Sequence, residues 1–278
     1  MKQLIYFIII FSSKNLFGQT NYSGFIGKYP IELFAEIDTS GSLYGVYVYS
    51  VFDNPIILEG NLEKEKLILF EKDSKGKKST SMTFEKFNPD SESIEGIWKD
   101  LKNEKTLKIT LSKKAEIDNG ILQYASMDNH YFRIITDYQT VNEIKIFQKK
   151  TDKLIQKFDV DCQFRGLYCI SVGDFNFDGV IDFSIFESSY AGPNTSSLYF
   201  LYNPNTKKYF ESTFSGTSLE FDQKRKRVIE TNQCCAGSSV TKAEYKVIKN
   251  KMVLEKERCF KWNEKKQALV EQNVSKCR

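Results

Sequence analysis

Histidine is almost absent from this chain: His130 is the single one in 278 residues. Serine, cysteine and metal hydrolases mostly need an imidazole as base or ligand, so this scarcity removes most of them together. It also argues against zinc, which takes paired cysteines or histidines at fixed spacing. Phosphate-cradling glycine loops, an H-E-x-x-H pair and a G-x-S-x-G elbow are missing too. Glycosidases need only two carboxylates, but the acids here are scattered and none is marked by its context. A protein without catalytic activity is expected. No run keeps a 3.6-residue period over several turns, so helices should be short connectors. The apolar run 4–11 is about half the ~20 residues needed to cross a bilayer, and no later segment is long and uncharged enough to do so.

What is present at the start reads as an export signal: Lys2, then the apolar run, then polar Ser12 and Ser13. Processing is expected after Gly18, giving a periplasmic or secreted protein with no transmembrane segment. The first hundred residues hold no cysteine, which excludes a lipid-bearing cysteine at the new terminus. Losing residues 1–18 removes Lys2 and Lys14 from a formal charge of +4, leaving a near-neutral chain unsuited to nucleic acid. The dense basic run Lys224, Arg225, Lys226 and Arg227 reads as a solvated turn. The cysteines are Cys162, Cys169, Cys234, Cys235, Cys259 and Cys277, an even number that favours disulfides in an exported chain. Cys162 and Cys169 are close enough in sequence to pair. Cys234 and Cys235 are expected to reach different partners, because neighbours rarely meet disulfide geometry.

The fold expected is all-β. Short β-branched and aromatic runs at 43–51, 55–62, 66–70 and 106–111 are broken by turn residues, the pattern of an antiparallel meander closing into a small barrel or sandwich. Tyr44, Val46 and Val48 alternate with Gly45, Tyr47 and Tyr49, which predicts a tyrosine-lined outer face. The charged stretch 112–119 reads as a linker, dividing an antiparallel β domain over 19–115 from a second over 116–278. In the second domain, strand-like runs fall at 131–135, 143–148, 167–172, 180–186, 198–202, 245–248 and 252–256. Asn203, Pro204, Asn205 and Thr206 mark a turn between two aromatic strands.

The segment from Asp174 to Asp182 fits D-x-N-x-D-G-x-x-D. Calcium takes six to eight oxygens at ~2.3–2.6 Å, and alternating carboxylate and amide side chains on a tightly curled loop can bring several to one point. Asp174, Asn176 and Asp178 would supply side-chain oxygens, Val180 its backbone carbonyl, and Asp182 a direct or water-mediated contact. Gly179 permits the sharp turn. The twelfth position, a bidentate glutamate in an EF-hand, is Ile185 here, and the alternation of Ile170, Val172, Ile181, Phe183 and Ile185 says that strands flank the loop. Without a cation, the sequence would form an acidic Asp-Gly hairpin. This resembles the strand-loop-strand calcium site of integrin-type FG-GAP repeats. It occurs once, which argues against a complete seven-bladed propeller and leaves a partial, propeller-like domain.

The order of features from about residue 129 also resembles a bacterial periplasmic family related to lysozyme inhibitors and to immunity proteins against type IV secretion effectors. The pieces are Asp174 to Asp182, then Gly192-Pro193-Asn194, then Leu201-Tyr202-Asn203-Pro204 with Lys208, Tyr209 and Phe210. The resemblance implies a calcium-stabilised β fold that binds a protein partner, a lysozyme-like peptidoglycan hydrolase, and blocks its cleft. Ser40-Gly41-Ser42-Leu43-Tyr44 has the letters of the S-G-x-x-Y inhibitor loop but lies outside the resembling region, where any hairpin turn would show them. The alternative is an adhesion or glycan-binding module, with Tyr47 and Tyr49 stacking on sugars if they face solvent.

Overall fold

The structure, a computed structural model, describes residues 18–37, 40–50, 54–114, 120–137 and 139–277. The export signal expected over residues 1–18 lies outside them except for Gly18. The chain is all-β, and the helical turns among the described residues are the 3₁₀ segments Gly166–Tyr168, Cys235–Gly237 and Val274–Lys276. It divides into two compact units.

In the first unit, β1 (Gly18–Ile26), β2 (Tyr29–Ile37), β3 (Ser42–Tyr49), β4 (Ile56–Glu63), β5 (Lys66–Lys72), β6 (Lys78–Phe84), β7 (Ser93–Asp100) and β8 (Thr106–Lys113) follow one another around a closed barrel. Closure comes from β1 on β8, antiparallel from Tyr22↔Lys113 to Ile26↔Ile109, which removes both sheet edges. Period-two patterning fills the interior: Leu67 and Leu69 of β5, and Ile109 and Leu111 of β8, are fully buried. Backbone approach at the seam needs Gly24, where a Cβ would stand 2.1 Å from the Thr110 carbonyl oxygen. The linker expected over 112–119 begins later, since Ser112 and Lys113 still pair with β1, while 115–119 fall outside the described residues.

The tyrosine face expected on β3 does not form. Tyr47 is buried, Tyr49 is half-buried, and Val46 to Val48 are buried without alternation. Pro30–Glu32 and Val46–Ile56 group with the second unit, and in this half of β3 burial does not follow the two-residue period. Tyr44, before that point, is 48 % exposed.

The second unit contains three successive antiparallel meanders. The first is β9 (Ile121–Ser126) to β12 (Lys153–Gln163), with β10 (His130–Asp137) and β11 (Thr140–Gln148) between. Next come β13 (Ile170–Gly173), β14 (Asp182–Ser189), β15 (Thr195–Asn203) and β16 (Lys208–Glu211). The last sheet is β17 (Glu220–Asp222), β18 (Arg227–Cys234), β19 (Ser239–Ile248), β20 (Lys251–Asn263) and β21 (Ala268–Gln272). Alternation on β15 shows how they stack. Phe200 packs with Phe132, Ile144 and Ile146 of the first meander, whereas Tyr199 and Leu201 turn to Phe221, Val247 and Met252 of the last. The middle sheet is thus covered on both faces, the layering of propeller blades. Phe183 and Phe200 stack at 4.7 Å, and burying each ring contributes about 2–3 kcal/mol.

Two expectations about strand limits need correction. The run 167–172 starts as a 3₁₀ turn and becomes a strand only at Ile170, and the run 180–186 starts at Asp182, because Val180 and Ile181 stay in the preceding loop. The cysteines also depart from the reading. Cys162 and Cys169 are buried free thiols. Cys234 and Cys235 are bonded to one another, where the chain turns through positive φ at Cys235 and Ala236 (58° and 52°). Cys259 and Cys277 form the other bridge, with Cα atoms 5.7 Å apart. Inside the second unit, Arg133 donates from Nη1 and Nη2 to the two carboxylate oxygens of Glu32 at 2.8 and 2.6 Å, an almost fully buried bidentate pair.

Candidate cation-binding loop

Strands β13 and β14 pair from Ile170↔Ile185 to Gly173↔Asp182, and residues 174–181 bulge out between them as a loop. The loop therefore joins strands. Its composition sorts by side: Phe175 and Phe177 pack inward on Phe221 at 4.8 and 6.3 Å, and Phe175 also meets Tyr199 at 5.1 Å. The intervening polar residues turn back on the loop's own backbone. The curl needs left-handed φ at Phe177 (65°) and Gly179 (88°), the first an unusual conformation for an aromatic residue.

Three of the five residues expected to hold calcium come together. The amide of Asp178 donates to Asp174 Oδ1 at 3.0 Å and to Asn176 Oδ1 at 3.1 Å, so both oxygens lie beside one N–H. The amide of Gly179 donates to Asp174 Oδ2 at 2.9 Å, and that of Val180 to Asp178 Oδ1 at 2.8 Å. Asn176 Nδ2 donates to Asp178 Oδ2 at 2.8 Å. Each oxygen keeps a lone pair after these bonds, so Asp174, Asn176 and Asp178 could still ligate a hard cation.

Asp182 has a different place. It is fully buried, with Oδ2 accepting from the Phe175 amide at 3.0 Å and Oδ1 from the Tyr202 amide at 2.8 Å. Burial pushes its carboxyl up to about 6, a shift opposed by those two amides and reinforced by the charges of Asp178 and Asp174. Asp182 therefore pins the loop to β15. Among the described residues, no three His, Cys, Asp or Glu side chains gather as a group able to hold a metal ion. A cation in this loop would draw on the Asp174 and Asp178 carboxylates, the Asn176 amide oxygen, and backbone or water oxygens. That all-oxygen set suits calcium and not a soft metal.

Residues far along the sequence brace the loop. Asn250 Oδ1 accepts from Asn176 Nδ2 at 3.0 Å, Gln223 Nε2 donates to the Asp174 carbonyl at 2.7 Å, and Lys226 Nζ to the Phe177 carbonyl at 3.2 Å. All three sit in turns of the last sheet; no local pattern marks Asn250 or Gln223, while Lys226 belongs to the basic run expected to be a solvated turn and instead meets the loop backbone. Elsewhere in the basic run, Arg225 pairs with Asp222 and Glu244, and Arg227 with Glu255.

His130 stands apart from the loop's polar groups. Burial, and then the nearby Lys149 charge, hold its imidazole below the usual histidine range, and its ring lies against Tyr209 at 6.3 Å between centroids.

No protein family matches the chain, and no curated protein sequence does. Among solved structures, it is similar to the β-propeller domain of the Trilobed protease from Pyrococcus furiosus, described as having an open velcro topology. Identity is 9 %, with 93 % of this chain and 72 % of that one covered, at a TM-score of 0.20. It is also similar to a protein from Lactobacillus plantarum, at 10 % identity over 92 % of this chain and 95 % of that one, with a TM-score of 0.24. Superposition at this level assigns neither a topology nor an activity to the present chain.

Proposed function

We propose that this is an exported, non-catalytic β protein that holds one calcium ion in the loop 174–182 and works by binding another protein. The observation that carries the calcium reading is the meeting of Asp174 Oδ1 and Asn176 Oδ1 on the amide of Asp178, within a loop that Gly179 lets curl. Asp174, Asn176 and Asp178 would hold the ion directly, with the Val180 carbonyl and water completing the shell. The ion's part is structural: it neutralises two carboxylates that otherwise crowd one turn. Phe175 and Phe177 of the same loop pack between the last two sheets, so ordering the loop also orders that packing.

The partner reading rests on the resemblance of the second half to periplasmic lysozyme inhibitors and immunity proteins, and points to a lysozyme-like peptidoglycan hydrolase. The surroundings of His130, with a lowered pKa and an aromatic neighbour, support a packing role over a catalytic one. The glycan reading on Tyr47 and Tyr49 loses its support, because Tyr47 is buried.

The test is thermal unfolding in chelator and in calcium, followed by capture of partners on immobilised protein and a lysozyme inhibition assay. Calcium at a hundred times its Kd should stabilise the fold by about 2.7 kcal/mol, a rise in Tm of roughly 5–10 °C. Equal melting in both buffers would refute the calcium reading. Full lysozyme activity in the presence of excess protein would refute that choice of partner.

A further inference from the structure

The outer wall of the barrel carries a second feature that the calcium reading does not use. On β4 and β5 the alternation that buries Leu58, Leu67 and Leu69 turns Glu59, Asn61, Ile68 and Phe70 outward, in register as Glu59↔Phe70 and Asn61↔Ile68. Together with Tyr44 and Lys78, these residues line a cavity of about 400 Å³, within the ~300–1,000 Å³ range of small-ligand sites. Its floor is apolar, with Ile68 and Phe70 half-buried, and Tyr44 projects beside it.

The charged groups around the cavity are Glu59, Glu63, Lys66, Lys72 and Lys78; Glu63 is exposed at its rim without a basic partner among the described residues. Lys72 is bonded to Glu59, and Lys66 to Glu85 at 2.8 Å, so these charges are satisfied. Lys78 is not: its Nζ sits 3.5 Å from the centroid of the Phe70 ring and has no carboxylate partner among the described residues. It also lies directly across from Lys72 in the β5–β6 register, where like charges repel. A cation held over an aromatic face next to a second lysine is a place for an anion. The side chain of Asn61 and the hydroxyl of Tyr44 likewise have no protein partner among the described residues.

We infer that this cavity binds an acidic saccharide, with the sugar's carboxylate on Lys78, ring hydroxyls on Asn61 and Glu59, and the apolar ring face against Tyr44 and Ile68. An aromatic ring beside hydrogen-bonding side chains suits a sugar, which has one apolar face and several hydroxyls at its rim. Glu63 at the rim disfavours a more highly charged phosphate or sulfate ester by like-charge repulsion.

The experiment is calorimetric titration of the full chain, in metal-free buffer, with a panel of uronic-acid disaccharides, their neutral counterparts and benzoate. The acidic sugars should bind about tenfold more tightly than the neutral ones, the worth of one charge-assisted hydrogen bond. Lys78→Gln should abolish that preference while sparing neutral sugars, and Tyr44→Ala should weaken both kinds. Asp178→Ala, in the calcium loop, should change neither, which separates this site from the calcium reading. Both barrel substitutions fall at exposed positions, and unchanged thermal unfolding will confirm that they fold. The inference is overturned if no acidic sugar binds, if acidic and neutral sugars bind alike, if benzoate binds as well as the sugars, or if Lys78→Gln and Tyr44→Ala bind like the parent protein.

Discussion

Asp182 should make this protein more stable in mild acid, the reverse of an ordinary paired carboxylate. Its side chain is fully buried, and burial outweighs the two amides that donate to it, so the carboxyl is pushed up to about 6 from 3.8. The folded state thus binds a proton more tightly than the unfolded state, and stability falls as pH rises between those values. The gap corresponds to roughly 3 kcal/mol at 1.36 kcal/mol per pH unit. Other carboxylates titrate over the same range, so the quantity to measure is the difference between the parent protein and Asp182→Asn, which cannot ionise. Urea unfolding followed by circular dichroism, in metal-free buffer from pH 4 to pH 7, yields that difference. The parent should gain roughly 2 kcal/mol relative to the variant as pH falls from 7 to 4, most of that gap, because at pH 4 the unfolded carboxyl is itself partly protonated. A pH-independent difference, or a relative loss by the parent in acid, would refute the reasoning.

Three further perturbations follow from the packing. Arg133→Met leaves the buried Glu32 carboxylate without its bidentate partner and should cost about 3–5 kcal/mol, while the double variant with Glu32→Leu should recover most of it, measured by urea unfolding. Replacing Cys259 and Cys277 by serine opens a bridge spanning 18 residues of sequence and should cost about 3 kcal/mol by loop entropy, measured by urea unfolding without reductant so that the Cys234–Cys235 bond stays intact. Gly24→Ala puts a methyl group against the Thr110 carbonyl at the barrel seam and should cost about 1–3 kcal/mol, with faster hydrogen exchange along β1 and β8 than in the parent.

Much of the fold is legible where burial follows one simple period. The alternation in β5 and β8 reads directly as barrel interior, and the turn at Asn203 to Thr206 falls between β15 and β16, with the Asn203 side chain accepting from the Asn205 amide at 2.9 Å. Reading by dense apolar runs passes over β12, because charged residues separate Phe158, Val160 and Cys162. It misjudges β3, whose Tyr47 is buried in a stretch that groups with the second unit, a tertiary fact with no local signature. The loop's residue types and its glycine are visible in sequence. The division of labour within it is not: Asp182 matches the ligand pattern, yet it is fully buried and also accepts from the amides of Phe175 and Tyr202, which ties the loop to β15. Nor could spacing show Asn250 and Gln223 as supports, since sheet stacking alone brings them near. The pairing of adjacent Cys234 and Cys235 escaped the reading because it depends on positive φ at Cys235 and Ala236.

The central claim is that Asp174, Asn176 and Asp178 hold one calcium ion. Calorimetric titration of calcium into metal-free protein, repeated on Asp178→Ala, tests it most directly, because Asp178 is exposed and the substitution leaves the core intact. The account predicts one saturable ion per chain in the parent protein and an affinity at least about tenfold weaker in the variant, the loss of one charged ligand. No saturable binding, or equal binding by the two proteins, would contradict it and leave the loop an acidic hairpin held by its own amides.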